Sequence, residues 1–167
     1  ENITALSYFY KSDCYYKIGN YKQANTEFFK FIDAAKLADN LPAQASPMMA
    51  NYTIGYCFLK QVGKDSSYFL KAQTYFDNAK ILLEQTKFSN EEKNIHDELL
   101  CDISLRNADC NFILKKYQKA LVDYSVVIDN NFPVADYALF QKAIIQGLQK
   151  NNDAKIFSLQ KIIKNFP

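Results

Sequence analysis

The stretch Ala108-Asp109-Cys110-Asn111-Phe112-Ile113-Leu114-Lys115-Lys116-Tyr117-Gln118-Lys119-Ala120 has an earlier counterpart in the chain. Ninety-six residues before it stands Ser12-Asp13-Cys14-Tyr15-Tyr16-Lys17-Ile18-Gly19-Asn20-Tyr21-Lys22-Gln23-Ala24. Each copy is followed by an aromatic (Tyr124, Phe28), a bulky apolar residue (Val127, Phe31) and an Ile-Asp pair (Ile128-Asp129, Ile32-Asp33). A looser third copy lies between them: Gly55-Tyr56-Cys57-Phe58-Leu59, an insertion, then Ala72, Phe76 and Ala79. Ala24, Ala72 and Ala120 stand 48 residues apart. Repetition on this scale is the signature of a stacked array, because a unit that cannot bury its apolar face alone must bury it against the next one.

The spacing within each copy is helical. Leu6, Phe9, Tyr10, Cys14 and Ile18 recur at intervals of three and four, which predicts a first helix over about Thr4–Lys17 that stops at Gly19-Asn20. A second helix from Tyr21 carries Ala24, Phe28, Phe31, Ile32 and Ala35 and ends before Asn40-Leu41-Pro42. Pro47–Lys60 is expected as the third, and Gln61 to Ser67 as an inserted loop, with Ser66 or Ser67 capping a fourth. Ser89-Asn90-Glu91-Glu92 reads as a capping box opening a long fifth helix to about Leu114. Tyr117–Asn130, Val134–Gln149 and a segment after Asn151-Asn152-Asp153 complete eight helices in four pairs. The units are approximately 1–41, 42–87, 88–132 and 133–167 of a single repeat domain.

Small residues explain why the helices pair. Ser12, Gly55, Ala108 and Ala143 fall late in each first helix, and Ala24, Ala72 and Ala120 fall early in the second, so antiparallel helices can approach closely where they cross. Tyr21, Phe69 and Tyr117 cover the turns, and Phe28, Phe76 and Tyr124 fill the seam to the next pair. Lys155 stands where the fourth unit should have alanine, so that hairpin is expected to pack differently. Phe157 gives the eighth helix a second apolar face, which leads us to expect further repeats and a chain that is a segment of a longer array.

Composition narrows the functional classes. The formal net charge is +2, and Arg106 is the only arginine among 20 basic residues, a balance unsuited to nucleic acid. No run of 18 apolar residues is present, so direct membrane insertion is not expected. Cys14, Cys57 and Cys110 share one slot in successive units and Cys101 is the extra one. Equivalent slots in stacked helices lie roughly 10–20 Å apart, too far for a disulfide, and buried free thiols are expected. Glu92 and His96, at i and i+4, are the one candidate metal pair, and no further histidine supports them. A solvated acidic first turn explains them better, so neither metal nor cofactor is expected. A nucleophile would have His96 as its sole base, and no glycine-rich phosphate loop exists, so catalysis is not expected. Asn2-Ile3-Thr4 and Asn51-Tyr52-Thr53 match the glycosylation pattern only by chance on this reading.

The pattern resembles the tetratricopeptide repeat family. Gly55 and Ala108, then Ala24, Ala72 and Ala120, then Phe28, Phe76 and Tyr124, with Ala79, Pro133 and Pro167, fit its slots. The stretch from Ala138-Leu139-Phe140-Gln141-Lys142-Ala143 to Phe166-Pro167 looks like a late repeat of long exported arrays of Gram-negative bacteria. The resemblance implies an all-α solenoid of about four antiparallel hairpins in a right-handed superhelix, and a periplasmic or cell-envelope location in preference to a cytoplasmic one. It also implies a concave groove lined by first-helix residues: Phe9, Asp13, Tyr16, Tyr52, Tyr56, Leu59, Asp109, Phe112, Phe140 and Ile144. The clamp that holds a C-terminal carboxylate in chaperone-binding members is missing, since Phe9, Asp13 and Thr53 occupy its slots. The function implied is a non-catalytic scaffold for a protein or peptide partner, or for further repeats of the same chain. A structural role in a bacterial envelope assembly complex and a helical accessory domain of an enzyme are the alternatives.

Overall fold

A computed structural model describes residues 1–63 and 65–166, together with everything but the side chain of Asn90 among them. Within the inserted loop Lys64 lies outside the described residues, as does Pro167, the expected closing proline of the fourth unit. The described residues form eight α-helices and no strand: α1 (Asn2–Lys17), α2 (Tyr21–Ala35), α3 (Pro47–Lys60), α4 (Ser67–Gln85), α5 (Lys93–Ile113), α6 (Tyr117–Asp129), α7 (Ala135–Leu148) and α8 (Asn152–Asn165). None of these helices is long and apolar enough to cross a membrane. Two compact units emerge, Glu1–His96 and Asp97–Pro167, with the boundary in the first turn of α5.

Three of the four hairpins turn in the same way. At the end of α1 the Gly19 N–H donates to the carbonyl of Tyr16 and the Asn20 N–H to that of Tyr15. Lys115 and Lys116 repeat this with Phe112 and Asn111, and Lys150 and Asn151 with Gly147 and Gln146. This is the Schellman arrangement, which satisfies the last carbonyls of a helix through one left-handed residue. Gly19 takes that conformation (φ 78°) without strain, whereas Lys115 (φ 59°) and Lys150 (φ 61°) adopt it at a cost of about 1 kcal/mol. The chain then caps the next helix, Asn20 Oδ1 accepting from the Gln23 N–H and Asn151 Oδ1 from that of Ala154.

The α3–α4 connection differs from the expectation. The Asp65 carboxylate, in place of a serine hydroxyl, accepts from the Ser67 N–H at 2.8 Å, and the Ser67 hydroxyl also donates to it. The two oxygens of the carboxylate take one bond each, Oδ1 from the N–H and Oδ2 from the hydroxyl. Before α5, the Ser89 N–H and hydroxyl donate to Glu92 Oε2, and the capping box opens a 3-10 turn, Asn90–Glu92, before the helix proper.

In the first unit α2 packs on α1 and α3, and α3 on α4. Ala5, Phe9, Ala24, Phe28, Phe31, Ala50, Ile54 and Cys57 form its core. In the second unit Leu105, Ala108, Ala120, Tyr124, Val127, Ala138 and Ile145 do so, joining α5, α6 and α7. All the crossing residues Ser12, Gly55, Ala108, Ala143, Ala24, Ala72 and Ala120 are buried. A Cβ built on Gly55 would stand 2.8 Å from the Phe76 ring, so at this crossing only glycine fits. At the fourth crossing the Lys155 stem lies over Gly147, and Ser158 is the only buried residue of α8. A long side chain thus fills the place at this crossing that Ala24, Ala72 and Ala120 take in the other hairpins.

The cysteine expectation needs one correction. All four cysteines are free, and Cys57 and Cys110 are buried, but Cys14 is exposed and Cys101 half-buried. Cys14 lies on an exposed side of α1, so a shared slot does not give shared burial.

Candidate partner-binding surface

The first-helix residues singled out from the sequence divide between the two units. Phe9 packs edge-on against Phe28 and Phe31 and is buried, so it is a core residue with no ring face to offer. Asp13, one turn later on α1, is half-buried and pairs with Lys17 at 2.6 Å. Tyr16 is half-buried and edge-on to Tyr21. On α3, Tyr52 and Tyr56 contact one another, and both rings also meet Phe76. They form a half-buried cluster whose inner member is a fully buried side chain of α4. Leu59 is half-buried at the end of α3.

In the second unit the arrangement is polar at its centre. The Tyr124 hydroxyl, from α6, donates to Asp109 Oδ1 at 2.7 Å, and the Tyr137 hydroxyl, from α7, donates to the same oxygen at 3.1 Å. Arg106 approaches Asp109 Oδ2 at 3.6 Å and Asp102 Oδ1 at 3.2 Å. Burial raises the Asp109 carboxyl above its ordinary range, although the tyrosine hydroxyls and Arg106 pull the other way. Tyr124 is itself raised, first by burial and then by the Asp109 carboxylate. Around this centre Phe112 tilts against Tyr117, Ile144 is half-buried, and Phe140 on α7 is 49% exposed.

Asp13 and Asp109 occupy one slot of the repeat, yet their surroundings differ. Phe28 stands where α6 has Tyr124, so no hydroxyl reaches Asp13, which turns to a lysine on its own helix. Sequence reasoning missed Tyr137 and the role of Arg106. Asp102, Arg106 and Asp109 fall at i, i+4 and i+7, and that charge pattern on one helix face was the available signal. Tyr137 left no local signal, since it meets Asp109 across 28 residues.

Other candidate groups have structural work. Glu27 on α2 is buried under Lys11 at 3.3 Å and Lys30 at 2.9 Å, and its hydrogen bond from Lys30, against the opposing effect of burial, holds its carboxyl below the ordinary range. Glu92 is lowered by the hydrogen bonds from Ser89, which commits it to the cap of α5. His96 lies edge-on to Phe88. Among the described residues no group of three or more His, Cys, Asp or Glu could hold a metal ion. Burial pushes the Cys57 thiol up to about 12, far from a reactive thiolate. Asn51 is buried and donates to the Pro47 carbonyl within α3, which removes it from the surface that glycosylation needs.

Residues 137–167, spanning α7 and α8, match the family described as Tetratricopeptide repeat. No curated protein matches the chain.

Proposed function

We propose that this tetratricopeptide-repeat protein is a non-catalytic scaffold that binds a protein segment along the first helices of its hairpins. Repeats of this family generally mediate protein–protein interaction. Within the two units the residues offered are Asp13, Tyr16, Tyr52 and Tyr56 in one, and Asp109, Phe112, Phe140, Arg106 and Tyr137 in the other. The observation that carries the reading is Asp109. A carboxylate lifted by burial and held between two tyrosines and an arginine is a costly arrangement, and costly desolvated charges mark functional positions more often than inert ones. Asp102 and Asp109 outnumber Arg106, and exposed Phe140 lies on the neighbouring helix. That combination suits a partner with apolar side chains and a basic group.

Phe9 is left out of the surface because it fills the core. Tyr52 and Tyr56 are poor probes, since removing them also unsupports Phe76. The experiment therefore uses the full chain as bait, with an Asp109→Asn, Phe140→Ala variant beside it. Proteins held from an extract of the source cells should be lost on the variant bait while its helical circular dichroism is unchanged. Equal recovery on both baits would remove this surface from the role. For the setting, the resemblance to exported arrays supports a place in a bacterial cell-envelope assembly, and fractionation of the source cells tests it: a purely cytoplasmic signal would overturn it.

A further inference from the structure

Three residues after the crossing alanine of each second helix stands an electron-rich group: Glu27 in α2, Tyr75 in α4 and Asp123 in α6. Three residues after the crossing residue of each first helix stand Tyr15, Phe58 and Asn111. In the first hairpin Glu27 pairs with Lys11 and Lys30, and the Lys11 ammonium lies 5.9 Å from the centre of the Tyr15 ring. In the third, Asp123 Oδ2 accepts from Asn111 Nδ2. In the second, two rings meet instead: Tyr75 and Phe58 stack with centres 5.5 Å apart and planes 28° apart. The row continues at both ends. Tyr68, seven residues before Tyr75 on one face of α4, lies 6.0 Å beyond Phe58, and Phe29 of α2 lies 5.8 Å beyond Tyr75. Phe29 is 38% exposed, and Phe58, Tyr68 and Tyr75 are half-buried. The slot of Lys11 holds Ile54 in α3, so the first helix supplies no ammonium here. The chain lays another cation on the row: Lys71 Nζ is 5.0 Å from the centre of the Tyr68 ring and 5.8 Å from that of Phe58.

We infer that Phe29, Tyr75, Phe58 and Tyr68 form a binding site for the guanidinium of an arginine in a protein partner, with Lys71 holding its place in the free chain. The occupant follows from the chemistry of the row. Ring faces carry partial negative charge, and the ammonium already drawn onto them shows which sign of charge they take. Lys71 is an exposed side chain with a strongly hydrated head, so it gains little from the rings and gives way easily. A guanidinium is planar and weakly hydrated, and it stacks flat on an aromatic face. The displaced ammonium has a receiver at the head of α4. The Asp65 carboxyl is held below its ordinary range by the bonds from Ser67, and the Lys71 charge adds to this. Phe58 follows Tyr56 by two residues and so lies roughly 200° away around α3. The site is therefore apart from the surface of the preceding section, and either can fail alone.

The test titrates the full chain with the tripeptide acetyl-glycyl-arginyl-glycinamide and follows the carbon–proton NMR signals of the rings. Millimolar peptide should move the Tyr68 and Phe58 signals along a saturable curve. The citrulline counterpart, which keeps the plane without the charge, should leave them in place. Lys71→Ala should tighten binding about two- to fivefold, because it removes a competitor of the strength that exposed cation–ring contacts have. A gain of binding cannot come from misfolding, which keeps this variant decisive. Tyr68→Leu should weaken binding by a similar factor, and Asp109→Asn should leave the ring movements intact, which separates this site from the acidic one. Ring signals that stay still in the Lys71→Ala chain, equal movement with citrulline, or an affinity that ignores the loss of Lys71 would each overturn the inference and leave the row a packing cluster.

Discussion

The hydroxyl of Tyr124 lies 2.7 Å from Asp109 Oδ1, joining α6 to α5 through a carboxylate that also receives Tyr137 from α7. One oxygen thus gathers three helices, in a slot where the first unit has Asp13 facing only its own lysine.

Replacing Tyr124 by phenylalanine keeps the buried ring and deletes the donor. A hydrogen bond to a charged group contributes about 1.5–3 kcal/mol, and Tyr137 and Arg106 remain. Tyr124→Phe should therefore destabilise by about 1.5 kcal/mol in urea denaturation. Because that bond lowers the Asp109 carboxyl, its titration followed by carboxyl NMR should move further up in the variant. An unmoved titration would mean that the bond is not made in solution.

Asp109 also gives the second unit a pH dependence of definite sign. Its folded value lies above the ordinary 3.8, so the folded chain holds that proton more tightly than the unfolded chain. The stability this contributes is fully present below pH 3.8 and is lost as pH rises through the folded value. Asp109→Asn, which cannot ionise, should therefore have a higher Tm than the parent at pH 7, and the two should converge below pH 3.8. A variant less stable at pH 7 would show that the charge holds the fold together.

The glycines of α3 and α7 should respond to alanine in opposite ways. At Gly55 the new methyl meets the buried Phe76 ring at 2.8 Å, and overpacking of about 1–3 kcal/mol exceeds the gain in helix propensity of about 1 kcal/mol. At Gly147 the nearest atom is Lys155 Cδ at 3.1 Å, the middle of a flexible side chain that can move aside. Gly55→Ala should lower the midpoint of urea unfolding, and Gly147→Ala should raise it, the latter by about 0.5–1 kcal/mol.

Much of this organisation was legible beforehand. The bounds of α3, Pro47–Lys60, are as expected, because proline suits a first turn, and the structure adds the Ser46 hydroxyl as the cap. Phe28, Phe76 and Tyr124 are buried as their spacing required. The left-handed turns at Lys115 and Lys150 were not legible, since lysine carries no preference for that conformation and is held there by the packing of the hairpin. In the candidate surface, Asp109 and Phe140 could be placed from the repeat, but Phe9 fills the core instead, and Tyr137 joins Asp109 from another hairpin.

The sequence by itself determined which residues pair helices, because helical periodicity is a local property and small residues at a crossing act within one hairpin. Only the tertiary structure decided which aromatics stay available and which carboxylate is desolvated. Burial depends on the helix that arrives next: Phe9 is covered by α2, Cys14 is left open, and Asp109 is desolvated by tyrosines that lie 15 and 28 residues away.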